Sequence, residues 1–443
     1  MIIQNDKFKD SGIEWIGKIP TTWNVTRISA EFKVRNQKVN DKDYMPLSVT
    51  KLTDGIVPQL EQVAKSDAHE DRKLVLKGDF VINSRSDRKM SCGVSIYDGS
   101  VSLINIVLEP IGEISSEFTH YLFKNYYFAE EFYRWGHGIV ADLWTTNSSD
   151  LKRIYIPVPS KNEQIKIVTT LNEKISKIDL LISNQEKQIE KLKEYKQALI
   201  TKVVTNGLSD NPEMKSSGVE WIGKIPCGWN IYPIKYLFSF SKGLSITKED
   251  LRENGVKVIS YGQLHSKKNL SVKVDNSLYR FVSKKYLESN PECLVNVNDM
   301  IMADTSEDLE GTCDFVRIDK EEKIFAGYHS IIFQNKQKIN TEYLAYQFTT
   351  DIWRNQFRSK VNGVKLFSLT QKILNQGLVI FPDECNQKAI VDYINKKCGK
   401  IYQLIEIKQQ KIEKLNEYKK SIIYEYVTGK KEVQLWKSKF KTL

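Results

Sequence analysis

The chain has 443 residues, of which 41% are hydrophobic, 27% charged and 11% aromatic. This composition excludes global disorder, and at roughly 100–200 residues per domain the length predicts about two to four units. Lys and Arg outnumber Asp and Glu by 66 to 55, a formal net charge of +11, which suits a nucleic-acid partner without requiring one.

No apolar run reaches about 18 residues, so no membrane partner is expected. The start, MIIQNDKFKDSG, lacks the apolar core of a signal peptide, and a cytoplasmic location is expected. Residues 11–24 read SGIEWIGKIPTTWN. Trp15, Ile16, Ile19 and Trp23 are read as packed anchors or as contacts with another chain, so Trp15, Ile16 and Trp23 are partner-binding candidates. The run GIEWIGK imitates a phosphate loop, but Ile19 stands where the Mg²⁺-holding hydroxyl belongs and no apolar strand precedes it.

Further on, Lys77-Gly78-Asp79 predicts a turn entering a strand at Phe80. The cluster that follows, Asn83–Lys89, offers Arg85, Ser86, Arg88 and Lys89 as DNA-contact candidates. Arg, Lys, Asn and Gln read base edges, whereas Ser and Thr hold phosphates. Ser116–Trp135 reads as a helix. The loop after it, His137–Leu143, adds His137, then Trp144 and Thr145. From Val168 apolar residues alternate at three and four: Leu171, Ile175, Ile178, Ile182, Ile189, Leu192 and Leu199 form a heptad seam.

The pattern then starts again. Residues 217–230 read SGVEWIGKIPCGWN, identical to the first signature at eleven of fourteen positions at an offset of 206. Trp221, Ile222 and Trp229 are the matching partner-binding candidates. Tyr261, Gln263, His265, Lys267 and Lys268 form a second DNA-contact cluster. Val297-Asn298-Asp299 predicts another turn into a strand, followed by the candidate Thr305. Thr341–Phe357 reads as a helix, and the loop Ser359–Leu366 adds Lys360, Asn362 and Lys365. Each cluster is also compatible with a solvated loop.

A second heptad helix carries Ile394, Ile401, Ile405, Ile412, Leu415 and Ile422. It repeats IEKLKEYK of residues 189–196 as IEKLNEYK at 412–419, an offset of 223, and Pro159 and Gln164 recur as Pro382 and Gln387. Polar residues interrupt both seams at matching places, Gln185 with Lys408 and Lys196 with Lys419. They read as rim positions or as register-fixing ones.

The chain is therefore read as a duplication. At 1.5 Å per residue each helix of about 36 residues spans about 54 Å, and neither can bury its stripe alone. The connectivity predicts an antiparallel pair, a rod with a globular head at each end and a pseudo-twofold axis. The heads mix strand-like runs with helices, an α/β or α+β class.

No catalytic residue and no metal site is nominated. The six cysteines make no CxxC pair, and the five histidines make no HExxH. Pro382-Asp383 with Glu406-Ile407-Lys408 imitates a nuclease motif, but Glu406 and Lys408 fall on a heptad helix rather than a strand. There is no GxSxG, no NPPY-type tetrapeptide and no glycine-rich nucleotide fingerprint.

The doubled signature, the P-x4-Q turn, IEKLKEYK and Val203-Val204-Thr205-Asn206-Gly207 together resemble the specificity subunit of type I restriction–modification systems. The resemblance covers the whole chain and implies two target-recognition domains joined by two long antiparallel coiled-coil helices. Signature and first domain would take residues 1–158, the central helix 159–206, the second signature and domain 207–384, the C-terminal helix 385–428 and a basic tail 429–443. The resemblance implies a non-catalytic subunit whose domains each read half of a bipartite, asymmetric site in double-stranded DNA. The helices would set the spacer and dock two methyltransferase subunits. S-adenosylmethionine, and ATP with Mg²⁺, belong to those methyltransferases and to motor–nuclease subunits, with no cofactor on this chain. In the family pattern the reading loops fall near 78–89, 137–146, 261–268, 304–307 and 359–366. The alternative is a coiled-coil scaffold that binds only proteins, which explains the helices but not two diverged basic heads.

Overall fold

The computed structural model describes residues 7–432 apart from 53, 61–70, 140–143, 270, 338, 362, 364 and 365. They form two compact units, Met1–Gln185 with Gln410–Leu443, and Glu186–Gln409. Both are mixed α/β.

In the first unit the signature is a hairpin. Phe8–Asp10 pairs antiparallel with Lys18–Pro20, and Gly12 and Gly17 take φ near +70° in the turn (71° and 69°), where a side chain would be strained. The turn tucks Trp15 and Ile16 inward. A strand at Asn24–Arg27 follows, and it pairs with Tyr155–Val158, the strand that precedes the first long helix. The variable region is thus closed at its base by its own first and last strands. Between them lies a four-stranded sheet in the order Cys92–Val94, Phe80–Asn83, Asn105–Pro110, Phe32–Val34. Its core face carries Phe80, Ile82, Ile106 and Leu108, all buried against Phe118, Phe123, Phe128 and Phe132.

The expected turn before Phe80 is present. Gly78 has φ of +95°, and Asp79 closes the turn by accepting from the Leu76 N–H at 2.9 Å. Burial of Asp79 is balanced by Arg35, whose guanidinium forks onto its carboxylate at 2.8 and 3.2 Å.

The single helix expected over Ser116–Trp135 is two, Ser116–Phe123 and Tyr126–Arg134. The break is at Asn125, whose side-chain oxygen accepts from the Phe128 N–H at 2.9 Å and restarts the helix as an N-cap. The expected Thr341–Phe357 helix divides the same way into Glu342–Phe348 and Asp351–Arg358, with Thr350 as the cap at the Trp353 N–H. In both regions apolar periodicity continues across a break that a side-chain cap dictates.

The second unit begins with the hairpin Met214–Ser216 with Lys224–Pro226, and Asn230–Pro233 pairs with Leu378–Phe381 before the second long helix. Its four-stranded sheet runs Phe238–Lys242, Ser330–Asn335, Met300–Ala303, Phe315–Arg317. The turn into Met300 again uses a left-handed residue, Asn298 at φ +71°, and Asp299 accepts from the Asn296 N–H at 2.8 Å. A five-stranded sheet adds a parallel pair, Val256–Ile259 with Ile324–Ala326.

The two long helices cover Lys161–Asn206 and Glu384–Val427, 46 and 44 residues, about a turn or more longer at the N-terminus than the heptads alone indicate. The extra turn of the first is built by a capping box. Ser160 N–H donates to Glu163 Oε2 at 3.1 Å and Ser160 Oγ accepts from the Glu163 N–H at 3.4 Å, while Trp23 Nε1 donates to Glu163 Oε1 at 3.1 Å. The P-x4-Q spacing also has a physical reason. Gln164 is buried, donates to the Pro159 carbonyl at 3.0 Å and accepts from the Ser115 N–H at 2.7 Å, while Gln387 donates to the Pro382 carbonyl at 2.8 Å.

Both helices end on a glycine in the left-handed region, Gly207 (φ +77°) and Gly429 (φ +71°). Trp229 lies against Gly207, and Trp23 with Pro20 lies against Gly429. Trp23 and Trp229 therefore each pack on the end of the helix that belongs to the other sequence repeat.

Seam residues Leu171, Ile175 and Ile178 are buried with Ile422, and half-buried Ile182 and Leu415 pack against the same core of the first unit. Ile412 is buried as well. In the second unit Ile394 joins Ile200, Val203 and Val204 in the core, with Ile189, Leu199, Ile401 and Ile405 buried and Leu192 half-buried. There Lys196 stands over the Tyr402 ring at 5.2 Å and Lys408 bonds Gln188, so one helix number falls as the other rises and the segments run antiparallel.

Candidate nucleic-acid interface

In the first unit the strand Phe80–Asn83 ends at the core of the predicted cluster. Ser84, Arg85 and Ser86 leave the sheet and meet residues 144–146. Thr146 N–H donates to the Ser84 carbonyl at 3.0 Å, Ser86 N–H donates to the Trp144 carbonyl at 2.8 Å, and Arg85 and His137 each form a bridge with Thr145. Two loops predicted separately are thus one surface. His137, Trp144 and Thr145 belong to it; residues 140–143 of the predicted loop lie outside the described residues.

The basic side chains there face carboxylates. Arg85 forks onto Asp87 at 3.0 and 3.2 Å, Lys89 reaches Glu130 at 3.0 Å, and His137 Nε2 lies 3.2 Å from Asp150. Arg88 has the loosest of these pairs, 3.7 Å to Asp87, with about two-thirds of its side chain (65%) exposed. Solvent-exposed pairs of this kind are weak, so a phosphate can exchange for a carboxylate at little cost.

In the second unit the cluster is differently built. Tyr261–Leu264 is one helical turn closed by a capping box, in which Gln263 Oε1 accepts from the Ser260 N–H at 3.0 Å. Gln263, expected at a base edge, is thereby committed to its own backbone. His265 is committed too: Nδ1 faces Asp314 Oδ2 and Nε2 faces the Thr305 carbonyl, each at 2.9 Å. Lys267 and Lys268 are exposed beside it. Thr305 is half-buried in a short ladder opposite Ser368. Lys360 is exposed and donates to Gln376 at 3.3 Å; Asn362 and Lys365 lie outside the described residues.

Sequence reasoning missed the residues that fasten this surface. Asp314 also takes Arg354 Nη1 at 2.8 Å, and Arg354 and Arg358 both donate to the Glu310 carbonyl, tying down the acidic turn Glu307–Glu310. His329, at φ +52°, sits 3.2 Å from Asp304. These partners are 25 to 49 residues apart, and no local pattern announces them.

The partner-binding candidates are corrected by their burial. Trp15, Ile16, Trp23, Ile222 and Trp229 are buried and belong to the cores of their own units, and Trp221 is half-buried. Of the two readings, packed anchors are what the structure contains: Trp15 Nε1 donates to the Tyr155 carbonyl at 3.1 Å and packs edge-on to Phe128 at 5.7 Å. No group of His, Cys, Asp and Glu able to hold a metal occurs among the described residues, and no helix among them is long and apolar enough to cross a membrane.

The family model for the type I restriction modification DNA specificity domain matches residues 226–417. The type I restriction enzyme MjaVIII specificity subunit of Methanocaldococcus jannaschii is 24% identical over 433 residues, 94% of this chain and 95% of that protein. The putative type I restriction enzyme MjaX specificity subunit of the same organism is 23% identical over 449 positions, 95% and 96% of the two chains. A chain from a structure on complex assembly and conformational transition of the type I R-M system shares the fold, with a TM-score of 0.65 at 11% identity over 92% of this chain and 98% of that one. Residues 226–417 therefore form a type I restriction–modification DNA specificity domain. Along nearly its whole length the chain is similar to type I specificity subunits, and the resemblance carried by the signature and helix motifs holds.

Proposed function

We propose that this chain is the non-catalytic DNA sequence-specificity subunit of a type I restriction–modification complex. The observation that carries the reading is the specificity-domain match at 226–417, most of which lies in the second unit, and the first unit repeats that unit's signature hairpin, Pro-to-Gln turn and helix-ending glycine. We infer from that repetition a duplication with pseudo-twofold symmetry. Each unit then reads one half of a bipartite, asymmetric double-stranded site. The loop surfaces around Arg85–Lys89 and Lys267–Lys268 supply the contacts. The long helices, whose residues are divided between the units, set the spacer and dock two methyltransferase subunits. S-adenosylmethionine is expected on those subunits, and ATP with Mg²⁺ on motor–nuclease subunits, in the cytoplasm.

The test is to express the full chain with and without a methyltransferase subunit and map methylated motifs in the host DNA. The expected result is a split motif that appears only with the partner. Methylation by the chain alone would overturn the reading. A protein-only scaffold would show no DNA retention that weakens with salt, whereas phosphate contacts lose affinity steeply between about 50 and 200 mM salt.

A further inference from the structure

We propose that His265 is a positioning residue of the second unit's recognition surface, acting as a doubly donating imidazolium that clamps the 261–268 loop to the 304–314 segment. The proposal deepens the DNA-reading assignment and rests on it for the clamp's purpose, though not for its existence.

The geometry is specific. Asp314 Oδ2 lies 2.9 Å from Nδ1 and the Thr305 carbonyl oxygen 2.9 Å from Nε2. Ionised carboxylate and carbonyl are both acceptors only. A neutral imidazole carries one N–H, so one of these oxygens would face a nitrogen lone pair at hydrogen-bond distance. The protonated ring satisfies both. The segment approaches so closely that a Cβ on Gly311 would stand 3.2 Å from Nδ1.

The surrounding charges favour the same form. Asp314 comes from the 304–314 segment and is also engaged by Arg354 of the helix Asp351–Arg358 at 2.8 Å. Asp308 adds negative charge from the acidic turn. From the loop itself the Tyr261 ring lies edge-on to His265 at 4.6 Å, with Glu307 beside the tyrosine. Lys267, Lys196 and Arg354 line a cavity of about 240 Å³ together with His265, and these cations oppose its protonation. Burial works against the charged ring, but the hydrogen bonds to Asp314 and Thr305 outweigh it and raise the His265 pKa. Asp314 is likewise disfavoured by burial but held below the usual carboxylate range by His265 and Arg354.

The consequence is mechanical. Thr305 is also laddered to Ser368, so one ring joins the loop bearing Lys267 and Lys268 to the strand pair that borders the acidic turn. Because the folded pKa is raised, the clamp is fully present below the ordinary histidine value of about 6.5 and is lost as pH rises through the folded value.

The experiment uses the full chain and follows amide hydrogen exchange of 261–268 and 304–314, corrected for intrinsic rates, from about pH 6 to pH 9. Both segments should be protected at the acid end and lose protection together. In His265→Gln, which cannot donate at both positions, exchange in both should be about tenfold faster at the acid end with no pH transition, the ratio one charge-assisted hydrogen bond sustains. Imidazole ¹⁵N shifts of the wild-type chain should report two N–H groups on His265. A neutral ring at the acid end, or segments that exchange independently, overturns the proposal. If His265→Gln also deprotects the sheet strands 300–303 and 330–335, the ¹⁵N shifts alone decide. Salt-dependent DNA binding measured on the same chain separates the failures: its absence sinks the DNA reading and leaves the clamp standing.

Discussion

At the residue scale the two helix-ending glycines make opposite demands on space. A Cβ on Gly429 would lie 2.4 Å from Pro20 Cδ, inside any tolerable contact, whereas one on Gly207 would lie 3.2 Å from Trp229 Cζ2. Both carry the cost of a left-handed alanine, about 1 kcal/mol. Gly429→Ala adds a clash with a proline ring and should cost about 2–4 kcal/mol, clearly more than Gly207→Ala. Thermal denaturation of the two variants checks the order. The cysteines give a second residue-scale outcome. Burial pushes Cys92 up to about 11 and Cys313 up to about 12, and it raises Cys293 and Cys398, whereas Cys227 and Cys385 are exposed. Titration with a chromogenic disulfide at about pH 8 should therefore show two fast thiols, the other four reacting only on unfolding. More than two fast thiols would contradict the packing around the buried four.

At the scale of elements, the long helices illustrate how one framework tolerates local divergence. Lys419 donates to both oxygens of Asp179 at 2.7 and 2.9 Å. At an offset of 223, Lys196 matches Lys419 and Tyr402 matches Asp179, and there the ammonium stands over an aromatic ring instead. The position keeps its lysine while the partner changes from carboxylate to π face. Because the seam advances by heptads, adding one heptad to both helices preserves the packing phase. Each helix lengthens by about 10 Å, and under the proposed function the spacer in the methylated motif should grow by roughly three base pairs, less where twisting must be reconciled with the groove. A heptad in one helix alone should abolish activity, since the facing seam has no match. An active matched variant with an unchanged spacer would remove the helices from the role of spacer-setting element.

For the molecule as a whole, the base ladders mark natural joints. Tyr155 faces Arg27 where the first variable region is closed, so replacing residues 27–155 with a related domain cuts within a backbone ladder that any such domain restores. Motif mapping of the chimera should show one half-site changed and the other retained. Changes in both halves would show that the two units do not read independently.

Much of the framework was determined by sequence alone because its causes are local or periodic. Heptads, the Pro-to-Gln turn and the turns at Gly78 and Asn298 each act within a few residues or one period, and the sequence carries them in both halves. The helix breaks at Asn125 and Thr350 were local as well, but a cap competed there with an uninterrupted apolar stripe and won. Tertiary structure alone decided which loops become one surface. Arg85 meets Thr145, and His265 meets Asp314 across 49 residues, through strand order and buried hydrogen bonds that no periodicity encodes. It also decided the partners of single side chains: Gln263 turns its side-chain oxygen to the Ser260 N–H, and His265 bonds Asp314 and Thr305 of another segment. Trp15, Trp23 and Trp229 became core for the same reason. Burial depends on what the rest of the chain brings against a residue, and only the folded chain supplies the helix ends on which Trp23 and Trp229 close.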